Sequence, residues 1–66
     1  YPMQARLGAF YLALGEPGKA ALAYREGLDF RPNHVGVLEG YRNALLGLDR
    51  KDAAEQIRKR IELIKG

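Results

Sequence analysis

An all-α fold is predicted, with four helices arranged as two stacked antiparallel hairpins. Apolar residues recur at three- and four-residue steps, and no run alternates as a strand would. Gly15, Pro17, Pro32 and Asp49 punctuate the chain where the periodic segments end or begin. The second half also repeats the first at an offset of about 34 positions, a spacing that marks helical repeats. At that offset Leu7 meets Tyr41, Tyr11 meets Leu45, Leu14 meets Leu48, Ala20 meets Ala54 and Phe30 meets Ile64.

The first helix is expected from about Pro2 to Leu14. Proline suits a first helical turn, where its missing N–H has no partner to lose. Met3, Leu7, Phe10, Tyr11 and Leu14 form its apolar stripe. Gly15 ends it by taking the left-handed conformation that helix ends favour. The second helix opens at Pro17 and runs to about Phe30, with Ala20, Ala23 or Tyr24, Gly27 and Phe30 inward. Mostly small, these residues allow close approach to a neighbour. Arg31 precedes Pro32 and is biased out of the helical region, which stops the helix.

Asn33 is the expected N-cap of the third helix, about His34 to Leu48, which buries some of Val37, Leu38, Tyr41, Leu45 and Leu48. Asp49 is expected to cap the fourth helix, with Asp52 three residues on resembling a capping box. That helix runs from about Arg50 to Ile64, with Ala54, Ile57, Ile61 and Ile64 inward. Connections of two to four residues force antiparallel neighbours.

The bulk properties exclude several classes. A chain of 66 residues makes one small domain and buries only about 60 % of its unfolded surface. Two repeats fall short of the three or so that usually stand alone. The expectation is a segment excised from a longer array, as the initial Tyr1 in place of Met also favours, or a chain that associates with itself or a partner. There is no cysteine, hence no disulfide framework. The compartment stays open, with the cytoplasm slightly favoured over the periplasm. No apolar run approaches the ~18 residues of a membrane span, and no secretory leader is visible. A net charge of +3 is mild and does not indicate nucleic acid.

The residues Leu7, Gly8, Tyr11, Ala20, Tyr24 and Pro32 give the chain its resemblance to tetratricopeptide repeats, whose pattern is W-x2-L-G-x2-Y, then A-x3-F, then P. Gln4 stands at the tryptophan position, and Gly15 and Lys19-Ala20 fit the inter-helix turn. The match runs through residues 1–34 and thins over 35–66. There Tyr41 and Ala54 fit and Leu45 replaces the tyrosine. Arg42, Arg58 and Gly66 replace the glycine, the aromatic and the proline. The resemblance implies two repeats, 1–34 and 35–66, forming part of a right-handed α-solenoid. Gly8 and Ala20 are expected to face each other at a tight crossing, with Leu7, Tyr11 and Tyr24 around them. Ala20→Leu is expected to cost ~1–3 kcal/mol there. Arg58, Lys59, Arg60, Glu62 and Lys65 suggest a solvated terminal helix, since end repeats need a polar outer face. The competing reading is a generic amphipathic helix.

The resemblance also implies an inner surface lined by the first helix of each hairpin. That face would carry Pro2, Ala5, Ala9, Leu12 and Ala13, then Gly36, Glu39, Asn43, Leu46 and Gly47. Small and weakly polar, it suits an apolar or helical peptide. The competing reading is that these residues accommodate a neighbouring helix. Some family members clamp a carboxylate with lysine and asparagine. Ala5 and Ala9 occupy the first such positions here, so that activity is not implied. Arg42 and Asn43 would be ordinary surface residues or would orient a peptide.

No residue set points to catalysis, a metal or a cofactor. His34 is the sole histidine and lacks ligand partners at useful spacing. The Gly15, Gly18, Lys19 segment has the wrong glycine spacing for a phosphate loop and no preceding strand. Glu16, Glu26, Asp29 and Glu39 form no convincing acid pair. The Arg58-Lys59-Arg60 cluster is interleaved with Glu55 and Glu62, an expected Glu55–Lys59 pair among them, and has no aromatic stacking platform. The expected role is a scaffold or adaptor module that binds a partner protein or peptide. The alternative is structural self-association into a homo-oligomer. A weaker third reading, contact with nucleic acid or anionic lipid, would bring steep salt dependence.

Overall fold

The computed structural model describes residues 3–66. Four helices occur in order: α1 (Met3–Ala13), α2 (Pro17–Phe30), α3 (Val35–Gly47) and α4 (Lys51–Lys65). No strand occurs among the described residues. Pro2, expected both to open the first helix and to line the inner face, lies outside them. Connectors at residues 14–16, 31–34 and 48–50 are too short for anything but reversal of direction. α2 packs against both α1 and α3, α3 against α4, and α1 also reaches α3. The result is an all-α fold of two hairpins.

The two hairpins turn in the same way. Gly15 follows α1 at φ +75°. Its N–H donates to the Leu12 carbonyl at 3.0 Å, and the Glu16 N–H donates to the Tyr11 carbonyl at 2.9 Å. Asp49 follows α3 at φ +59°. Its N–H donates to the Leu46 carbonyl at 3.0 Å, and the Arg50 N–H donates to the Leu45 carbonyl at 2.9 Å. This bond pair is the Schellman arrangement, which satisfies the last carbonyls of a helix. Gly15 and Asp49 thus fill equivalent positions in the two halves.

Two caps differ from expectation. Asp49 closes α3 instead of opening α4, whose N-cap is Arg50 with no side-chain bond. Aspartate is tolerated in the left-handed region because its short polar chain bonds locally, so the same residue type serves either end. Likewise His34, not Asn33, caps α3. Its Nδ1 accepts the Val37 N–H at 3.3 Å. α2 begins at Pro17 and ends at Phe30 as expected, with the pre-proline residue Arg31 out of the helical region at φ −137°, ψ 77°.

Burial is uneven among the helices. Ala20, Val37, Leu38 and Ala44 are fully enclosed, and Tyr24 nearly so. α1 instead contributes Ala5 and Gly8. Its expected stripe of Met3, Leu7, Phe10 and Leu14 is exposed, and only Tyr11 is half-buried. Neighbours cover α1 on its small-residue side, which leaves the bulky side uncovered. Phe30, Leu48 and Ile64, also expected inward, are exposed for want of a covering element. Of the residues expected to pack the repeats, Gly8, Ala20, Tyr24, Leu45 and Ala54 are buried and Tyr11 and Tyr41 half-buried, while Leu7 and Pro32 are exposed.

The centre of the packing is the Tyr24 ring, held edgewise between two glycines. A Cβ on Gly8 would lie 2.6 Å from its Cε2, and one on Gly40 only 2.2 Å from its Cε1. The nearest neighbour of Gly8 is therefore this ring rather than Ala20. α2 is pressed onto α3 at Gly27 as well, where a Cβ would meet Val37 Cγ1 at 3.3 Å. Glycine at 8 and 40 is a requirement of the close approach, since any side chain would enter the ring.

Candidate functional site: the groove across α1, α3 and α4

The slot that holds Tyr24 opens onto a cleft of ≈ 320 Å³ between α1 and α3. Ala5, Arg6 and Ala9 line it from α1, and Gly36, Glu39, Gly40 and Asn43 from α3, with Tyr24 among the lining residues. The two helices contribute equivalent positions: Ala5 pairs with Glu39, Arg6 with Gly40, and Ala9 with Asn43. A helix exposes neighbours three and four apart on one face, so matched helices in matched orientation present matched sets.

A second cleft of ≈ 360 Å³ lies between α3 and α4 and shares Glu39 and Asn43 with the first. Arg42, Arg58, Ile61, Glu62 and Lys65 complete its lining. Together the clefts form one groove across three helices, lined mostly by small residues with Arg6 and Glu39 at the α1 end and more densely charged at the α4 end. Lys65 Nζ donates to Glu39 Oε1 at 3.3 Å, tying α4 to α3 across the groove rim.

Arg58 is committed within its own helix. Its Nε donates to both Glu55 carboxylate oxygens at 3.0 Å, and its two terminal nitrogens bond Glu55 and Glu62. The fork geometry of a guanidinium favours such two-sided pairing. Glu55 accordingly joins Arg58 and not the expected Lys59. The Arg58 hydrogen bond holds the Glu55 carboxyl below its ordinary pKa; desolvation opposes this, and the charges of Arg58, Lys59 and Arg42 assist it. In turn, the Glu55 hydrogen bond raises the Arg58 pKa.

Of the residues expected at the inner face, Ala5, Ala9, Gly36, Glu39 and Asn43 line the groove. Leu12 does not; it is half-buried against the core. Ala13 and Leu46 are exposed away from both clefts, and Gly47 backs onto Pro17, whose Cβ would lie 2.9 Å from an added Cβ. The inner face is shorter than expected: the clefts stop at Ala9 on α1 and Asn43 on α3. Arg6, Tyr24, Gly40 and the α4 residues are additions. Arg6 and Gly40 were findable as the positions next to Ala5 and Glu39 on the same turn. The α4 contribution was not, because it depends on how the second hairpin leans.

Among the described residues no cluster of three or more histidine, cysteine or acidic side chains could hold a metal. No helix among them is long and apolar enough to cross a membrane. Comparison with family models, curated proteins and solved structures finds no match.

Proposed function

We propose that the chain is a non-catalytic protein-binding module that holds a peptide segment of a partner in the groove across α1, α3 and α4. The observation that carries this reading is the matched lining, with Ala5 and Ala9 on α1 answering Glu39 and Asn43 on α3 around the Tyr24 slot. Small side chains leave room for a ligand backbone. Asn43 offers both a donor and acceptors to that backbone. Arg6 and the α4 charges would set the polarity of the side chains accepted.

The resemblance of residues 1–34 to a tetratricopeptide repeat supports the same role, that of a scaffold or adaptor. Recognition of nucleic acid is disfavoured because the central cation of the basic cluster, Arg58, is already occupied by Glu55 and Glu62. The test is selection of peptides from a displayed library on the wild-type chain, followed by binding to Ala9→Arg and Asn43→Ala. Ala9 and Asn43 are exposed, so neither change disturbs the core. The expected result is loss of binding by at least about tenfold with Ala9→Arg, as a bulky charge fills the cleft. Equal binding to all three proteins, or amide shifts confined to another face, would overturn the groove reading.

A further inference from the structure

We infer that the uncovered face of the α1–α2 hairpin, which carries the bulky side of α1, pairs with the same face of a second copy of this chain in an antiparallel two-fold arrangement. Met3, Leu7, Phe10 and Leu14 are 78 %, 44 %, 59 % and 56 % exposed. They step along α1 and the residue just past it, Leu14, whose N–H still donates to the Phe10 carbonyl, by four, three and four residues, the spacing of a helix–helix seam. That spacing reads the same in both directions. An antiparallel partner therefore sets Met3 against Leu14 of the second copy and Leu7 against Phe10 of the second copy.

The flanking residues have the same self-complementarity, now in charge. Beside the seam, Leu7, Tyr11, Lys19, Leu22, Ala23 and Glu26 line a shallow groove between α1 and α2. Lys19 lies at the Tyr11 end, its Nζ 5.8 Å from that ring's centroid. Glu26 lies two turns further along α2, toward the opposite end of the seam, and makes no ion pair among the described residues. A two-fold axis across the seam keeps both α2 helices on one side and reverses their ends. Each Lys19 then meets Glu26 of the other copy, and Leu22, 59 % exposed, lies near the axis. The Lys19–Glu16 pair at 3.3 Å is exposed on both sides and can give way.

Other occupants fit less well. On α3 the equivalent face is covered by α2, but α3 offers Gly40 and Ala44 there to admit Tyr24, where α1 has Arg6 and Phe10. A helix like α2 therefore finds no slot on α1. A head-to-tail contact with α4 of another copy would bring Arg58 toward Arg6. The two-fold pairing avoids both conflicts and closes on itself as a dimer.

Sedimentation velocity of the full chain from about 10 to 500 µM tests the proposal, in the affinity range of small interfaces. A concentration-dependent monomer–dimer equilibrium is expected. Phe10→Glu should raise the dissociation constant by about 100-fold, as a buried aromatic anchor becomes a buried charge. Lys19→Glu and Glu26→Lys should each raise it about tenfold, and the double swap should restore it, because two rim pairs turn repulsive and then attractive again. A monomer throughout that range overturns the proposal. So does a dimer indifferent to Phe10→Glu, or one that the double swap fails to restore. These outcomes leave the groove reading untouched, since none of the substituted residues lines the groove.

Discussion

Replacing Gly40 with alanine tests the packing at its tightest point. The added methyl would stand 2.2 Å from Tyr24 Cε1, where ordinary contact begins at 3.4 Å. The ring would have to recede by about 1.2 Å, and its opposite edge already rests against Gly8. Overpacking of this kind costs ~1–3 kcal/mol. Alanine returns ~1 kcal/mol through its better helix propensity. The net expectation is a loss of up to roughly 2 kcal/mol, equivalent to a fall in Tm of up to about 16 °C for a domain of this size. Thermal and urea melts followed by circular dichroism read the change. Gly18→Ala is the control, because its Cβ would meet only Leu48 Cδ2 at 4.0 Å. It should be neutral or stabilising by up to ~1 kcal/mol. A Tyr24→Leu background should erase most of the Gly40→Ala penalty, since the shorter side chain vacates the space. If Gly40→Ala melts above the wild-type temperature, as a helix glycine with open space around it would, the ring does not occupy that slot.

Asp49→Gly should stabilise the chain by ~0.5 kcal/mol, because glycine adopts the φ +59° conformation without strain, while Gly15→Ala should lose ~1 kcal/mol; denaturant midpoints decide both. Loss of the α3 cap in His34→Ala should cost ~1 kcal/mol and be largely recovered by His34→Asn; an unchanged midpoint would remove His34 from the capping role. Glu55 titrates below its ordinary value because Arg58 favours its charged form. Its contribution is thus present at and above the ordinary carboxylate range and is lost as pH falls through the lowered value. The NMR titration of the Glu55 carboxyl should show a depressed midpoint that returns toward normal in Arg58→Met; a wild-type midpoint at the ordinary value refutes the pairing.

Much of the fold was legible because its signals are local. Pro17 and Pro32 restrict the backbone at and just before them, Gly15 freely takes the positive φ that ends α1, and the helix ends fall at those residues. Asp49 misled because aspartate is equally at home before one helix and after another, and only the direction of its hydrogen bonds distinguishes the two. The apolar stripe on α1 was legible as a stripe. Which side of α1 is covered was not, because burial depends on neighbours that no local pattern specifies. The same holds for the groove. Ala5 and Ala9 could be placed on one face by spacing alone, whereas the participation of Tyr24 and Lys65 depends on the angles at which three helices meet.

The position of one aromatic side chain also bears on how the chain melts. Tyr24 belongs to the first hairpin by sequence, yet its ring is the piece that both hairpins close upon. Withdrawing it leaves a void on two fronts at once, so opening either half costs contacts of the other. Where stacked units usually fray one after another from their ends, these two are expected to melt in a single all-or-none transition, with coincident midpoints by different probes.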